Sequence, residues 1–506
     1  MAGKLMDRTF LMLMLTALSF GCSGSLNDAP GEERGPEASA LRLYPGNSRY
    51  LEFRGEPTLL ITSAEHYGAV INGDFDYNTY LETLQNEGFN YTRIFGGPYL
   101  EPVQNIFGIK KNTLAPAEGS YVAPWVSVNG RYDLNRFNPD YLKRLKDFVK
   151  EASRRGIVVE FTFFSSIYAE GAWQLSPFYP ENNLNGTGII DFRRVNTLYN
   201  GALLSFQEKY IRWIVRELNQ FDNLFFEIQN EPWADNPNLV AYVNQEDSTV
   251  FSRDWQKRVE AANGVSQEWQ AWVASVIRDE ESGLPVKHLI AQNISNFQQR
   301  LEILPEHISI INYHYALPAA ASENLHLNGV IGLDETGFMP QNDRIYLIQA
   351  WRFILSGGGL YNNLDYSFTV DNEGGEWTIP ESNPGWGGKG FRGQLSLLAR
   401  TLRSVPFYDM DILATPIFQE KKAMRQYGLG KKGEVYMVLL EQFDGTALSP
   451  DIPGGVYEVT WMDIFSGNST THQIEVGAEP FLHPSFDADP VVLILHRINN
   501  EKSDNP

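Results

Sequence analysis

The chain has 506 residues, 41 Lys and Arg against 62 Asp and Glu for a formal net charge of −21, 13% aromatic residues and a single cysteine. Such an acidic balance, spread along the chain, argues against a nucleic-acid or anionic-membrane partner, because both need Lys and Arg to neutralise phosphates; a neutral or cationic partner fits better. One cysteine excludes an internal disulfide framework and a cysteine-built metal or iron–sulfur site, and the length suits several domains or one large α/β barrel with an accessory module.

At the amino terminus Lys4 and Arg8 precede an apolar run from Phe10 to Phe20, which ends in Gly21-Cys22-Ser23-Gly24. This is a signal-peptide pattern, and the run is too short to span a bilayer as a mature helix. It resembles a bacterial lipoprotein signal, in which the cysteine becomes the lipidated first residue. The resemblance implies removal of residues 1–21, a lipid on Cys22 and an exported lipoprotein of the bacterial cell envelope, on the outer membrane with a periplasmic or surface-facing orientation. Residues 22–40, rich in Ser, Gly, Asp, Glu and Pro, read as a flexible acidic linker. No later apolar run is long enough to cross a membrane, so membrane contact is expected through the lipid alone.

From Leu41 to Phe53 apolar and polar residues alternate around Pro45-Gly46-Asn47, a hairpin signal. Whether this hairpin packs on a barrel floor or joins the later β domain is open. Short apolar runs then recur at Leu59–Ser63, Tyr91–Phe95, Val158–Phe164, Leu224–Ile228, His288–Gln292, Ile308–Tyr313, Val330–Leu333 and Gly359–Leu364. Helical patterns lie between them, clearest at Asn78–Asn86, Pro139–Arg155, Asn196–Asn219, Ser266–Asp279, Arg344–Ser356 and Phe391–Ser404. Buried apolar strands alternating with amphipathic helices predict parallel β/α units, and eight of them predict a (β/α)8 barrel over residues 41–405. Beyond it, six alternating runs between Ile412 and Leu495, separated by Gly, Pro, Asn and Asp, predict a small all-β sandwich over residues 406–498. Residues 499–506 read as a disordered tail.

Barrel enzymes carry their chemistry at the carboxyl ends of strands, so acidic residues closing an apolar run are the ones to weigh. The fourth run closes in Gln229-Asn230-Glu231-Pro232-Trp233, and the seventh in Leu333-Asp334-Glu335-Thr336. Here the sequence resembles the clan of retaining (β/α)8-barrel glycoside hydrolases that contains the family 5 cellulases and mannanases. In that clan the acid/base glutamate ends strand four after an asparagine, and the nucleophilic glutamate ends strand seven. The resemblance therefore implies Glu231 as acid/base, its pKa raised by the charge of Glu335, and Glu335 as nucleophile. It implies Asn230 as the partner of a sugar 2-hydroxyl, and Arg93 as the cation that keeps the nucleophile ionised. It further implies a His and a Tyr after strand six, with the Tyr touching the nucleophile. His314 and Tyr315 are adjacent in this chain, so on a regular strand they would face opposite ways, and a bulge is needed for both to line the site. Tyr315 is the better candidate for the nucleophile contact. His66 after the first strand is a sugar-hydroxyl ligand or a packing residue. Trp233, Trp377 and Trp386 are candidates for stacking on the apolar faces of sugar rings.

The implied activity is cleavage of β-glycosidic bonds in an oligo- or polysaccharide, with no cofactor. No metal is expected, since the 8 histidines are scattered, without His-x-His or His-Glu-x-x-His spacing. Two alternatives share most of these residues: a non-catalytic glycan-binding surface lipoprotein, and a transglycosylase using the same two glutamates. Sugar identity, endo or exo action and oligomeric state are not legible at this level.

Overall fold

The computed structural model describes residues 40–245, 247–418, 424–443, 447–477 and 489–498. Cys22, the signal sequence and the carboxyl-terminal tail lie outside these residues.

Eight parallel strands form a nearly closed barrel: β1 (Leu60–Ala64), β2 (Tyr91–Phe95), β3 (Val158–Ser165), β4 (Leu224–Asn230), β5 (Ile290–Asn296), β6 (Ile310–His314), β7 (Val330–Glu335) and β8 (Leu360–Leu364). Their order is β1-β8-β7-β6-β5-β4-β3-β2, so β1 and β2 flank the seam. Every residue of β2, β4, β6 and β7 is buried, as parallel strands covered on both faces require. The helices outside are α1 (Tyr77–Asn86), α2 (Pro139–Arg154), α3 (Leu203–Leu218), α4 (Gly264–Glu281), α5 (Pro318–Ser322), α6 (Asp343–Leu355) and α7 (Lys389–Arg403). Helix α2 shows why they form. Asn138 caps its first turn by accepting from the Asp140 N–H, Pro139 occupies the first helical position, and Tyr141, Leu145, Phe148, Val149 and Ala152 make one buried face.

The expected β/α rhythm departs in one place. Among the described residues no helix separates β5 from β6, and α5 after β6 has 5 residues. Two antiparallel hairpins lie outside the predicted strands and helices, Trp125–Val128 with Arg131–Phe137 and Pro237–Tyr242 with Arg258–Ala262.

The amino-terminal segment packs on the barrel floor. Its three short strands, Arg42–Leu43, Leu51–Phe53 and Glu56–Thr58, form an antiparallel sheet. Leu41, Leu51 and Phe53 join Leu60, Tyr91, Val158, Phe225, Ile310, Val330 and Leu360 in one apolar cluster.

The carboxyl-terminal domain is all-antiparallel. Its strands β9 (Asp411–Ile412), β10 (Arg425–Lys431), β11 (Val435–Glu441), β12 (Gly455–Asp463), β13 (Ser469–Val476) and β14 (Val491–Arg497) make one sheet among the described residues, ordered β9-β10-β11-β14-β12-β13. Alternation along β11 splits its side chains. Met437 and Leu439 belong to the main core shared with the barrel, whereas Tyr436, Val438 and Leu440 belong to a separate core with Trp461 and Leu493. An ion pair of 2.6 Å between Arg352 on α6 and Glu441 on β11 joins the domain to the barrel helices.

Candidate active site

The carboxyl ends of the strands converge on a cavity of about 280 Å³ whose lining includes both Glu231 and Glu335. Glu231 directly follows β4 and Glu335 ends β7. One carboxylate oxygen of each, together with a ring nitrogen of His314, falls within a span of 4.8 Å.

Glu335 is held from three sides. Tyr67 donates its hydroxyl to Oε2 at 2.9 Å, Arg93 donates from Nη1 to the same oxygen at 3.3 Å, and Tyr315 donates to Oε1 at 3.3 Å. Glu231 accepts from the Tyr168 hydroxyl at 2.7 Å and lies 2.9 Å from His314 Nδ1. That same nitrogen stands 3.5 Å from Glu335 Oε1, so His314 bridges the two carboxylates. Asn230 is fastened between Arg93, which donates to its Oδ1 at 2.8 Å, and the Tyr168 hydroxyl, which accepts from its Nδ2 at 2.8 Å.

The backbone explains how adjacent residues reach one cavity. Tyr67, Tyr168, Glu231, Phe297 and Tyr315, each one to three residues beyond the end of a barrel strand, have φ of 63°, 49°, 48°, 54° and 53°. The left-handed region is uncommon for bulky side chains, and such residues gather at functional sites, where the surrounding structure holds the strain. Here they break the two-residue alternation of the strand. The pairing of β6 with β7 also slips between Tyr313 and His314. Slip and left-handed turn together let His314 and Tyr315 both face Glu335, the irregularity that their adjacency demands.

Below the two carboxylates lies a charged layer with no exposure. Arg93 is the hub, in ion-pair contact with Glu227, Asp334 at 3.3 Å, Glu335 at 3.3 Å and Glu160 at 3.9 Å. Asn293 and Asn312 donate to Glu227, Asn293 also to Asp334, and Asn312 also to Glu160. Burial raises the pKa of Asp334, but the charges of Arg93 and His314 outweigh it and hold that carboxyl well below the usual range. Burial pushes Glu160 up to about 8, helped by the Asp334 charge and opposed by Arg93.

The titration of the upper pair differs from the sequence expectation. Burial favours the neutral form of Glu231, yet its hydrogen bond to His314 and that ring's positive charge outweigh burial and hold it below an ordinary glutamate. Burial and the Glu231 charge instead push Glu335 up, against the pull of His314 and Arg93. Burial opposes charge on His314, but Glu335 and Asp334 surround it and raise it well above 6.5. The expectation that Glu335 would raise Glu231 omitted the imidazole between them.

Of the other residues singled out from sequence, Asn230, Trp233, His66 and Tyr315 line the cavity. Trp233 meets His314 edge-on at 5.2 Å. His66 stands 3.3 Å from Glu101 and stacks on Tyr67. Arg93 and His314 have no side-chain exposure and stand behind the cavity wall. Trp377 and Trp386 are partly buried against the core and are not among the lining residues; Lys111 lies over the Trp377 ring instead. Further aromatic lining comes from Tyr67, Phe95, Tyr99, Phe107, Tyr168, Trp255, Phe338 and Tyr366. Tyr67 and Tyr168 were missed because loop tyrosines carry no spacing signal; only their left-handed turns bring them over the mouth.

No protein-family model matches the chain, and no curated protein matches it. Solved structures do share its fold. A candidate glycoside hydrolase from Bacteroides vulgatus ATCC 8482 aligns with a TM-score of 0.60 at 12% identity, over 92% of this chain and 83% of its own. A glycoside hydrolase family 5 protein from the same organism aligns with a TM-score of 0.57 at 13% identity, over 91% of this chain and 94% of its own. A third, described as a glycoside hydrolase, gives 0.53 at 13% identity over 92% and 99%. At these identities the likeness is one of fold.

Proposed function

We propose that the chain is a retaining glycoside hydrolase that cleaves β-glycosidic bonds of an oligo- or polysaccharide, with Glu335 as nucleophile and Glu231 as acid/base. The observation that carries this reading is the approach of the two carboxylates, with oxygens inside a 4.8 Å span at the mouth of one cavity. Retaining enzymes hold their carboxyl groups about 5–5.5 Å apart, and inverting enzymes about 6.5–9.5 Å apart to admit a water. The glycoside hydrolases among the structures of similar fold support the reading.

In the first step Glu335 attacks the anomeric carbon while Glu231 gives its proton to the departing glycosidic oxygen. In the second, Glu231 takes a proton from water, the oxygen of that water attacks the anomeric carbon, and the ester bond to Glu335 breaks. Arg93, Tyr67 and Tyr315 stabilise the Glu335 carboxylate before attack and after release. His314 serves as the proton store: its Nδ1 faces Glu231 at 2.9 Å, so a proton held on the imidazole in the free site can move to Glu231 when substrate arrives. Asn230, immobilised by Arg93 and Tyr168, offers its amide to the sugar 2-hydroxyl. Arg93 and His314 thus act as positioning residues.

The lipoprotein signal extends the proposal to an enzyme tethered to the cell envelope through Cys22, which membrane fractionation of a Cys22→Ala variant checks. The mechanistic assignment is tested with 2-deoxy-2-fluoro-glycosides and peptide mapping. Covalent label is expected on Glu335, and label on any other residue refutes the assignment.

A further inference from the structure

The cavity of about 280 Å³ above the carboxylates is at the small end of the ~300–1,000 Å³ common for ligand sites. A bridge of rings crosses it. Phe107, from the loop after β2, meets Tyr168, from the loop after β3, at 5.1 Å between centroids, and Phe338, from the loop after β7, at 5.9 Å, both edge-on. Phe338 continues to Trp255, from the loop after β4, at 6.5 Å. Strands β3 and β7 lie on opposite sides of the barrel, so this chain of rings crosses the mouth. Its supports are tied down. The Lys110 N–H donates to Asn383 Oδ1 at 3.0 Å and Gln341 Nε2 donates to the Pro380 carbonyl at 3.2 Å, which fastens the loops bearing Phe107 and Phe338 to the loop after β8.

Phe107 also lines a second cavity, of about 410 Å³, which holds neither carboxylate. Its remaining lining is largely polar and includes Ser252, Arg253, Gln256, Gln341 and Glu381. Phe107 is the one residue common to the linings of both cavities, so its ring stands between the carboxylates and that space.

We propose that the Phe107–Phe338 bridge restricts the site to the end of a glycan chain, admitting one or two sugar rings on the bridged side, so that the enzyme trims ends instead of cutting within chains. This rests on the glycosidase reading above. Phe107 is then a specificity-determining residue, and its removal joins the two cavities into one groove.

The test follows the first products released from reducing-end-labelled oligosaccharides and from a panel of plant, algal and bacterial polysaccharides. The wild-type protein should release only mono- or disaccharides at early conversion. Phe107→Ala should raise kcat/KM on polymer relative to aryl glycoside on the order of tenfold, the scale of a removed pocket contact, and bring longer products. Phe338→Ala, which breaks the same bridge from its other side, should act in the same direction and serves if the first variant does not fold. A spread of intermediate lengths from the wild type at first sampling overturns the proposal. So does an unchanged product pattern in folded variants that still take the fluoro-sugar label on Glu335; both results leave the glycosidase reading intact. Absence of label and of all hydrolysis in the wild type removes that reading, and this proposal with it.

Discussion

The two ends of the barrel are built by the same eight strands and carry opposite chemistry. At the floor, Leu60, Tyr91, Val158, Phe225, Ile310, Val330 and Leu360 close against Leu41, Leu51 and Phe53 in an apolar plug with little or no exposure. At the mouth, the strands end in Asn230, His314 and Glu335, and five of the residues just beyond the strand ends turn left-handed, four of them lining the cavity. The floor is regular and filled, and its free energy is that of buried apolar surface. The mouth holds charge, strain and empty volume, each unfavourable to folding alone and held in place by the rest of the barrel. Changes at one end should therefore move activity and at the other end stability, with little crossover.

The largest separation is expected from Glu335→Gln. Turnover should fall by about 10⁴-fold or more, the scale on which enzymes lose a covalent nucleophile, while the melting temperature stays within a few degrees of wild type. Parallel assays and thermal unfolding measure both. Glu231→Ala should cost about 10²–10⁴-fold on substrates with poor leaving groups. It should cost far less in the first step on activated aryl glycosides, and external azide should restore turnover. Equal loss on both substrate classes would count against Glu231 as the acid.

The converse case is Phe225→Ala at the floor. Emptying that site should cost about 3–5 kcal/mol of stability and leave kcat close to wild type at temperatures where the variant is folded. A loss of kcat without unfolding would show that the two ends are coupled.

A smaller effect is expected in the pH profile. The carboxylates around His314 hold its proton to pH values above 6.5. The acid form of the His314–Glu231 pair is therefore lost only as the pH rises through that elevated pKa. In His314→Gln the carboxyl of Glu231 must hold the proton alone, and it releases it at lower pH. The basic limb of kcat/KM should shift down by about one unit or more; an unmoved limb would exclude His314 as the proton store.

How much of this was legible in the sequence follows the same division. The floor and the strands obey periodicity, so the apolar runs located all eight, and β2 matches its expected limits, Tyr91–Phe95. The fifth run was placed two residues early because His288 and Leu289 precede the first paired residue, Ile290. The all-β nature of the carboxyl-terminal domain was legible from alternation, but alternation does not tell whether the covering layer is a second sheet or barrel helices. The strand Pro237–Tyr242 has an apolar run, Leu239-Val240-Ala241-Tyr242, but all its residues are exposed and they do not alternate, so the run gives no sign of a half-buried strand. At the mouth, Glu231 and Glu335 could be singled out because each closes an apolar run. Tyr67, Tyr168, Phe107 and Phe338 could not, since they come from irregular loops that meet only in three dimensions. Trp377 and Trp386, in a Gly/Pro-rich loop, pack partly against the core, and the rings lining the cavity come from elsewhere.

Proton NMR of the first minutes of hydrolysis, before the released sugar mutarotates, asks whether Glu231 and Glu335 work as a retaining pair. A retaining pair leaves no room for a water on the far face of the ring, so on the proposed mechanism the first product should carry the same anomeric configuration as the substrate bond, β from β. A first product of the opposite configuration would contradict both the role of Glu335 as nucleophile and the double-displacement mechanism built on it.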